Sequence, residues 1–155
     1  ILKAYFQELN PKYSITFIEE KKPLGTAGAL SKLKGKIEDS FFLTNCDVLF
    51  DLDYSEILAH HLKSASLLTL VASAKEITIP YGSLKTDQHG FLSDFHEKPI
   101  LDYLINCGLY MIHPDALRYI PNNKYFDLTD LISVLLKKNL KVGFSPPSGE
   151  KSKKL

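Results

Sequence analysis

The first half of the chain alternates between helix-like and strand-like patterns of apolar residues. Residues 1–9 and 25–34 carry apolar side chains at helical spacing, and a third helix is predicted to begin at Asp53, with Glu56 completing a capping arrangement. The alternation predicts a parallel sheet with helices on both faces, a three-layer α/β/α architecture. The predicted strands of this half are residues 14–18, 40–44 and 67–72.

The pattern changes after residue 80. Two β-rich runs, residues 81–86 and 91–95, flank the turn residues Asp87-Gln88-His89-Gly90, which is the signal of a β-hairpin. The predicted fold class is therefore α/β, with a mainly parallel mixed sheet and an antiparallel hairpin addition. The remaining predicted elements are a strand at 105–112, a short helix starting at Pro114, a helix at 128–138 capped by Asp127, and a strand at 142–145.

The length of 155 residues fits one domain, predicted to occupy residues 1–147 and to be followed by a polar tail at 148–155. Lys plus Arg number 19 and Asp plus Glu 18, so the net charge of +1 gives no basis for bulk nucleic-acid binding. No apolar run approaches the roughly 18 residues that a membrane span needs. The sequence thus predicts no nucleic-acid partner and no membrane partner.

Cys46 and Cys107 both lie in apolar, strand-like segments and are predicted to be free buried thiols of a cytoplasmic protein. The chain does not start with Met, and its first residues read as the interior of an amphipathic helix. We therefore expect a piece of a longer protein. Its oligomeric state, including a homo-oligomer, is left open.

Gly25 and Gly28 lie where a predicted strand passes into a helix. Glycines at such a place let a ligand approach the backbone, and the helix N-terminus offers unpaired N–H donors. The motif is neither of the common phosphate-binding glycine loops. A capping glycine followed by a close-packing glycine explains it equally well.

Asp47 follows the predicted strand at 40–44. A carboxylate at the carboxyl end of a strand is well placed to hold Mg²⁺, which keeps waters and substrate phosphates as its other ligands. Capping of the next loop is the alternative. Asp51 lies nearby, whereas Asp53 already has the capping role.

Two further polar groups follow in the second half of the chain. Glu97 and Lys98 are adjacent at the end of the hairpin, where one side chain can accept from a sugar hydroxyl while the other meets a phosphate; an exposed strand end is the alternative. Asn106 and Gly108 interrupt an apolar strand, which suits either a polyol ligand or a β-bulge. The histidines show no metal-ligand spacing.

Taken in order, six segments resemble the sugar-phosphate nucleotidyltransferases, above all the mannose-1-phosphate guanylyltransferase-like and glucose-1-phosphate thymidylyltransferase-like enzymes. The resemblance covers roughly residues 13–145 and implies a Rossmann-like fold. It also implies a reaction in which an NTP and a sugar 1-phosphate give an NDP-sugar and pyrophosphate. The segments are residues 23–30, 42–47, 80–82, 90–99, 106–110 and 125–132.

The resemblance also implies roles for individual residues. The loop formed by Leu24, Gly25, Thr26 and Gly28 would contact the nucleotide, and Asp47 would hold the catalytic Mg²⁺. On the sugar side, Lys98 would reach the sugar phosphate, and the sugar itself would be held by Gly82, Glu97 and Asn106.

The chain departs from the family pattern in three ways. Cys46 stands where the family usually has glycine, the N-terminal Gly-rich signature with its basic residues is absent, and there is no tryptophan segment with a second metal ligand. We therefore expect the chain by itself to be inactive or very weak. Two rivals remain: a non-catalytic nucleotide-sugar sensor of the same fold, and a glycosyltransferase that uses Asp51 and Asp53 as its metal pair.

Overall fold

The computed structural model describes residues 2–9 and 11–145, so the predicted tail at 148–155 lies outside the described residues. Tertiary contacts divide the chain into two compact units, which are described separately. The first unit comprises Ile1–Asp39 and Pro114–Asn139, and the second comprises Ser40–His113 and Leu140–Leu155. The expectation of one domain over 1–147 stays a prediction.

The helices are α1 (Leu2–Leu9), α2 (Gly25–Gly28), α3 (Tyr54–Ser64) and α4 (Leu128–Lys137), with 3₁₀ helices at Ala29–Leu33 and Pro114–Tyr119. The strands are β1 (Phe41–Thr44), β2 (Leu68–Thr78), β3 (Ser83–Thr86), β4 (Leu92–His96), β5 (Ile100–Ile112) and β6 (Val142–Ser145).

The second unit contains a four-stranded mixed sheet in the order β1-β5-β2-β6, with β2 in the interior as its apolar pattern predicts. β1 and β2 both pair antiparallel with β5, and β6 pairs parallel with β2. Three strands therefore share one direction, but only one of the three pairings is parallel. The chain enters β5 directly from the hairpin without a crossover helix, and such a return runs antiparallel to β2.

The predicted mixed sheet with an antiparallel hairpin is confirmed, but the pairing within the main sheet is mostly antiparallel and not mainly parallel. The hairpin itself is present, but β3 and β4 form a separate two-stranded sheet, in which Ser83 is opposite His96. The antiparallel pairing of the main sheet comes from β5, which begins at Ile100 rather than at the predicted residue 105.

The core of the second unit lies between α3 and the sheet. Ile57 of α3 packs against Val71, Leu109 and Met111, each about 1% exposed or less. Full burial of such a side chain contributes about 1.5–3 kcal/mol. Cys107 packs at the edge of this cluster, whereas Cys46 is exposed; both thiols are free, as predicted, but neither is fully buried.

The first unit is mainly helical in its described part. Leu131 and Leu135 of α4 are fully buried, as are Leu117 and Ile120 of the second 3₁₀ helix and its end. The strand predicted at 14–18 does not form. Its β-rich residues find no strand to pair with among the described residues, and β propensity alone does not hold a strand together.

Candidate functional site

The glycine loop of the first unit, residues 24–28, begins a short α-helix, α2. α2 spans four residues and passes directly into a 3₁₀ helix, in place of the single helix predicted over 25–34. Gly25 has a φ of +78°, in the left-handed region that favours glycine. Leu24 before it is buried, and Thr26 after it is exposed.

Hydrogen bonds join this loop to the start of α4, about a hundred residues away. We call the bonds between residues 24–28 and 126–128 the clasp. Thr26 donates its backbone N–H to Asp127 Oδ1 (2.9 Å), and its Oγ1 accepts from the N–H of Leu128 (2.9 Å). The N–H groups of Ala27 and Gly28 donate to the carbonyl of Phe126 at 3.0 and 2.9 Å, and the N–H of Phe126 donates to the carbonyl of Leu24 at 2.8 Å.

The clasp corrects one premise of the sequence reasoning. The N–H groups of Thr26, Ala27 and Gly28 are not unpaired donors awaiting a ligand, because acceptors of the chain itself already bond them. Nucleotide binding by the loop stays a prediction. It now has to rest on the shape of the loop and on groups other than these three amides.

Both glycines of the loop are explained by close approach of the same partner segment. A Cβ on Gly25 would lie 2.7 Å from Asp127 Oδ1 and 2.8 Å from the Phe126 carbonyl oxygen. A Cβ on Gly28 would lie 2.8 Å from the carbonyl oxygen of Lys124. The close-packing explanation is therefore confirmed for Gly28, whereas Gly25 is not the cap of α2, whose N-cap is Leu24, and is instead a second close-packed glycine.

Asp127 is the charged centre of the clasp. Its Oδ1 accepts from both the N–H and the Oγ1 of Thr26, and its Oδ2 accepts from the Tyr125 hydroxyl at 2.9 Å. The Thr26 amide and then the Tyr125 hydroxyl hold the pKa of Asp127 below its usual value, while the carboxylate raises the pKa of Tyr125. Sequence reasoning gave Asp127 only a helix cap; no signal in the sequence links it to Thr26.

In the second unit, Asp47 lies in a turn just after β1. The segment that carries it is tied to β5, because the N–H of Asn45 donates to the Gly108 carbonyl at 3.2 Å. A Cβ on Gly108 would lie 2.9 Å from the amide nitrogen of the Asn45 side chain. The Asp47 carboxylate is exposed, and it has no hydrogen-bond or ion-pair partner among the described residues.

The surroundings of Asp47 fit one kind of Mg²⁺ site. No cluster of three or more Asp, Glu, His or Cys side chains with metal-binding geometry occurs within residues 2–9 and 11–145. Mg²⁺ is commonly bound by one or two carboxylates together with substrate phosphates, rather than by a cage made wholly of protein. A single free carboxylate is compatible with an ion that arrives with its substrate.

The neighbouring acidic residue Asp53 has a structural role. Its Oδ1 accepts from the N–H of Ser55 at 2.8 Å and from its hydroxyl at 2.5 Å, which caps α3. These bonds lower the pKa of Asp53. The cap is as predicted, and Ser55 contributes both its backbone N–H and its hydroxyl to it.

Glu97 and Lys98 lie in a bend between β4 and β5, at the end of the hairpin as predicted but outside the strand, so their side chains are not placed on opposite faces by a strand. Both side chains are exposed and have no partner in the described part of the chain. Lys98 has a φ of +47°, a conformation that L residues other than Asn and Asp rarely adopt. Such strain is frequent at functional sites and here marks the bend.

Gly82 and Glu97, two of the residues predicted to bind the sugar, are neighbours. A Cβ on Gly82 would lie 3.1 Å from Glu97 Oε2 and 2.8 Å from the ring of Phe95. The glycine therefore lets the hairpin approach the Glu97 carboxylate. This proximity could not be read from the sequence, where fifteen positions separate the two residues.

Asn106, the third predicted sugar ligand, lies at a β-bulge. The β2–β5 register passes from Leu70 opposite Tyr110 to Ala72 opposite Asn106, which leaves two extra residues on β5. Asn106 Oδ1 accepts from the N–H of Gly108 at 3.1 Å, and its Nδ2 donates to the Tyr110 hydroxyl at 2.6 Å. The bulge alternative is confirmed, and the exposed amide keeps one N–H and one lone pair for a ligand.

His61 of α3 is a buried polar residue outside the predicted site. It is 1% exposed, and its ring nitrogens contact the hydroxyls of Thr69 (2.8 Å) and Ser40 (3.2 Å). Burial, followed by the proximity of His113 and His60, lowers the pKa of His61. Both ring nitrogens are satisfied, which agrees with a structural role.

Comparison with protein families places the chain among the nucleotidyl transferases: the family model described as Nucleotidyl transferase matches residues 1–146. The chain belongs to this family. A UTP–glucose-1-phosphate uridylyltransferase of Synechocystis is 31% identical over 69% of the chain. A mannose-1-phosphate guanyltransferase of Aspergillus oryzae is 34% identical over 77% of it. The matches span only 30% and 34% of those relatives' own lengths.

Solved structures agree on the fold. HddC from Yersinia pseudotuberculosis superposes with a TM-score of 0.62 at 26% identity, over 94% of this chain and 63% of that one. HddC has also been solved in complex with GMP-PN. A Bacillus anthracis protein solved with a sucrose gives a TM-score of 0.65 at 18% identity, over 96% of this chain and 63% of that one. The Rossmann-like α/β class predicted from the sequence is confirmed.

The comparisons cover both units, but they assign no role to a residue of this chain. Leu24, Gly25, Thr26 and Gly28 lie in the first unit, and the remaining candidates lie in the second. Within the described residues, no helix is long and apolar enough to cross a membrane.

Proposed function

We propose that the chain is part of a nucleotidyltransferase domain that joins an NTP to a sugar 1-phosphate and releases pyrophosphate. Both curated relatives act, by their names, on a hexose 1-phosphate and a nucleotide. One observation carries the proposal beyond family membership. In the second unit, Asp47, Glu97 and Lys98 are exposed charged groups at element ends without partners among the described residues.

Each of these groups has a separate task in the proposal. Asp47 holds Mg²⁺, which supplies charge neutralisation at the phosphates when bound. Lys98 binds the phosphate of the sugar. Glu97 accepts hydrogen bonds from sugar hydroxyls, and Gly82 next to it leaves the room that its carboxylate needs.

The remaining candidates position the substrates. The exposed amide of Asn106 donates to the sugar with the N–H that the bulge leaves over. The loop of Leu24, Gly25, Thr26 and Gly28 contacts the nucleotide. We place the reaction in the cytoplasm, where the free thiols of Cys46 and Cys107 stay reduced.

This set of groups matches the metal and sugar-phosphate side of the reaction. The attacking atom is a phosphate oxygen that is already ionised at neutral pH, so no general base is required. Catalysis of phosphoryl-type transfer then rests on positioning and charge neutralisation. A carboxylate and a lysine without an activated nucleophile, as found among the described residues, meet that requirement.

The experiment is a pyrophosphate-release assay combined with ligand binding. ATP, GTP, CTP, UTP and dTTP are each paired with glucose, mannose and glucosamine 1-phosphates in the presence of Mg²⁺. We expect the 155-residue chain to bind nucleotide but not to release pyrophosphate. Its only arginine is Arg118, outside every matched motif, and clamping a triphosphate takes basic side chains as well as a metal.

The full-length protein that contains the chain decides between the rivals. Release of pyrophosphate with one NTP and sugar pair supports the proposal. Nucleotide-sugar binding without turnover supports the sensor, and sugar transfer from an NDP-sugar to an acceptor supports the glycosyltransferase. Robust turnover by the 155-residue chain alone would show that the clamp is dispensable.

A further inference from the structure

The clasp is a reciprocal arrangement between two helix starts. Asp127, which precedes α4, accepts from the N–H of Thr26 in α2. Thr26 in turn accepts with its Oγ1 from Leu128, the first residue of α4. Each residue thus satisfies a backbone N–H at the start of the other residue's helix, so the clasp joins the two helix starts.

The Asp127 carboxylate accepts three hydrogen bonds from two residues. Thr26 approaches one oxygen with two donors, and the Tyr125 hydroxyl donates to the other. The backbone N–H of Asp127 donates to Asp130 Oδ2 at 2.9 Å, a bond that belongs to the cap of α4 and not to the clasp. A carboxylate with both oxygens bonded stays in one rotamer and can act as a fixed anchor for the loop.

The contacts of the loop indicate what the anchor is for. Thr26 is exposed, and burial of its own side chain does not hold it in place. Gly25 has a positive φ and lies against Asp127 and Phe126. The path of the backbone at the proposed nucleotide loop therefore depends on the space that these two residues leave. Without the carboxylate the loop loses two donor contacts at Thr26.

We propose that Asp127 is a positioning residue for nucleotide binding, which through Thr26 holds the loop at residues 24–28 in the conformation that receives the nucleotide. The inference rests on the proposed function and deepens it by naming a residue that touches neither substrate. It separates the nucleotide side of the reaction from the sugar side. Loss of the anchor weakens nucleotide binding and leaves sugar-phosphate binding unchanged.

The experiment compares Asp127→Ala with Asp130→Ala. Both substitutions remove a carboxylate at the start of α4, but Asp130 makes no contact with residues 24–28 in the hydrogen bonds of the described chain. Thr26→Val removes the hydroxyl at nearly constant shape, and Thr26→Ser keeps the hydroxyl. The readouts are thermal unfolding, amide hydrogen exchange at residues 26–28, and dissociation constants. GTP–Mg²⁺, UTP–Mg²⁺, mannose 1-phosphate and glucose 1-phosphate are the probes.

In Asp127→Ala we expect faster exchange of the amides at 26–28 and a dissociation constant raised about tenfold for the nucleotide that the wild type binds. Sugar-phosphate affinity stays at the wild-type value. Thr26→Val should likewise speed amide exchange and weaken nucleotide binding, whereas Thr26→Ser should keep both at their wild-type values. Asp130→Ala leaves nucleotide affinity unchanged.

Four results would overturn the proposal. Unchanged nucleotide affinity in Asp127→Ala, with a wild type that binds, contradicts the positioning role alone. An equal loss for both ligand classes, or an equal loss in Asp130→Ala, shows that Asp127 merely stabilises α4. A wild-type chain that binds neither nucleotide contradicts the proposed function itself and removes the ligand for which Asp127 would position the loop.

Discussion

The loop at residues 24–28 and the element ends of the second unit use their polar groups in opposite ways. In the loop, the amides of Thr26, Ala27 and Gly28 are all bonded within the chain. At the element ends, the charges of Asp47, Glu97 and Lys98 have no partner among the described residues. A polar group that is hydrogen-bonded within the chain fixes the conformation of the backbone around it. An exposed charge without an intramolecular partner is available to bind a ligand.

The difference divides the candidate residues into two kinds. Substitution in the loop region should act through the conformation of the backbone, and its effects should appear in stability as well as in nucleotide binding. Substitution at the element ends should act on the ligand alone. The following variants test this division, beginning with the largest expected effect.

Asp47→Asn should lower turnover of the full-length protein about a hundredfold or more while leaving thermal unfolding unchanged. The carboxylate makes no bond within the described chain, so the fold loses nothing, but a neutral amide binds Mg²⁺ much more weakly. Initial rates of pyrophosphate release over a Mg²⁺ titration provide the measurement.

Asp51→Asn is the matched control for that variant, since Asp51 is exposed on the same loop. It should keep wild-type rates. Near-normal activity in Asp47→Asn would contradict the metal assignment, and a large loss in Asp51→Asn would favour the glycosyltransferase rival.

Gly25→Ala should destabilise the protein by about 2–5 kcal/mol. The residue would have to keep a positive φ, at about 1–2 kcal/mol, and would place a Cβ against Asp127 and the Phe126 carbonyl, where crowding costs about 1–3 kcal/mol. Urea unfolding measures the change in the free energy of unfolding.

Gly35→Ala separates the two contributions. Gly35 also has a positive φ, +69°, but no atom lies within 4 Å of the position that its Cβ would take. This variant should lose only the conformational part. If the two variants lose equal stability, the close approach at Gly25 contributes nothing and the clasp is looser than its distances indicate.

The sequence predicts local elements of the fold better than it predicts contacts between distant segments. Local patterns suffice for α3, for the interior strand β2 and for the hairpin, because periodicity, a capping Asp and turn residues act over a few positions. They fail at residues 14–18, where strand-forming side chains find no partner strand. They also cannot predict that β5 inserts between β1 and β2.

For the candidate site, the sequence identifies the residues at which another group approaches the backbone, but it does not identify the approaching group. Gly25 and Gly108 read as places where a ligand approaches the backbone, and in both cases the approaching group belongs to the chain, Asp127 and Asn45 respectively. Such contacts join residues 63 or more positions apart, and no pattern within a single sequence records them. The role of Asp47 in metal binding and those of Glu97 and Asn106 in sugar binding stay predictions.

Glu97→Ala should raise the KM for the sugar 1-phosphate about tenfold and leave the KM for the NTP unchanged. The carboxylate has no intramolecular partner in the described structure, so the loss is one of ligand contacts. Steady-state kinetics with each substrate varied in turn distinguish the two constants.

The control is Glu76→Ala, which removes an exposed carboxylate from β2 outside every matched segment. Its kinetics should match those of the wild type. An equal rise in the KM for the NTP in Glu97→Ala would speak against a role on the sugar side and for a general change in the hairpin.

The smallest expected effect is at His61, where the second unit uses a polar side chain entirely for its own structure. Because burial and the nearby His113 and His60 depress the pKa of His61, the folded state favours the neutral ring, and the unfolded state binds more protons as the pH falls below about 6.5. The contribution of His61 to the free energy of unfolding should therefore be fully present above that pH. It should be lost as the pH falls through the depressed pKa of the folded state. Urea unfolding at pH 7.5 and 5.5 should show a smaller decrease in the free energy of unfolding for His61→Gln than for the wild type.

The control is His89→Gln, in the exposed β3–β4 turn, which should keep the wild-type pH dependence. An identical pH dependence in all three proteins would show that the hydroxyls of Ser40 and Thr69 accommodate the charged ring as well as the neutral one.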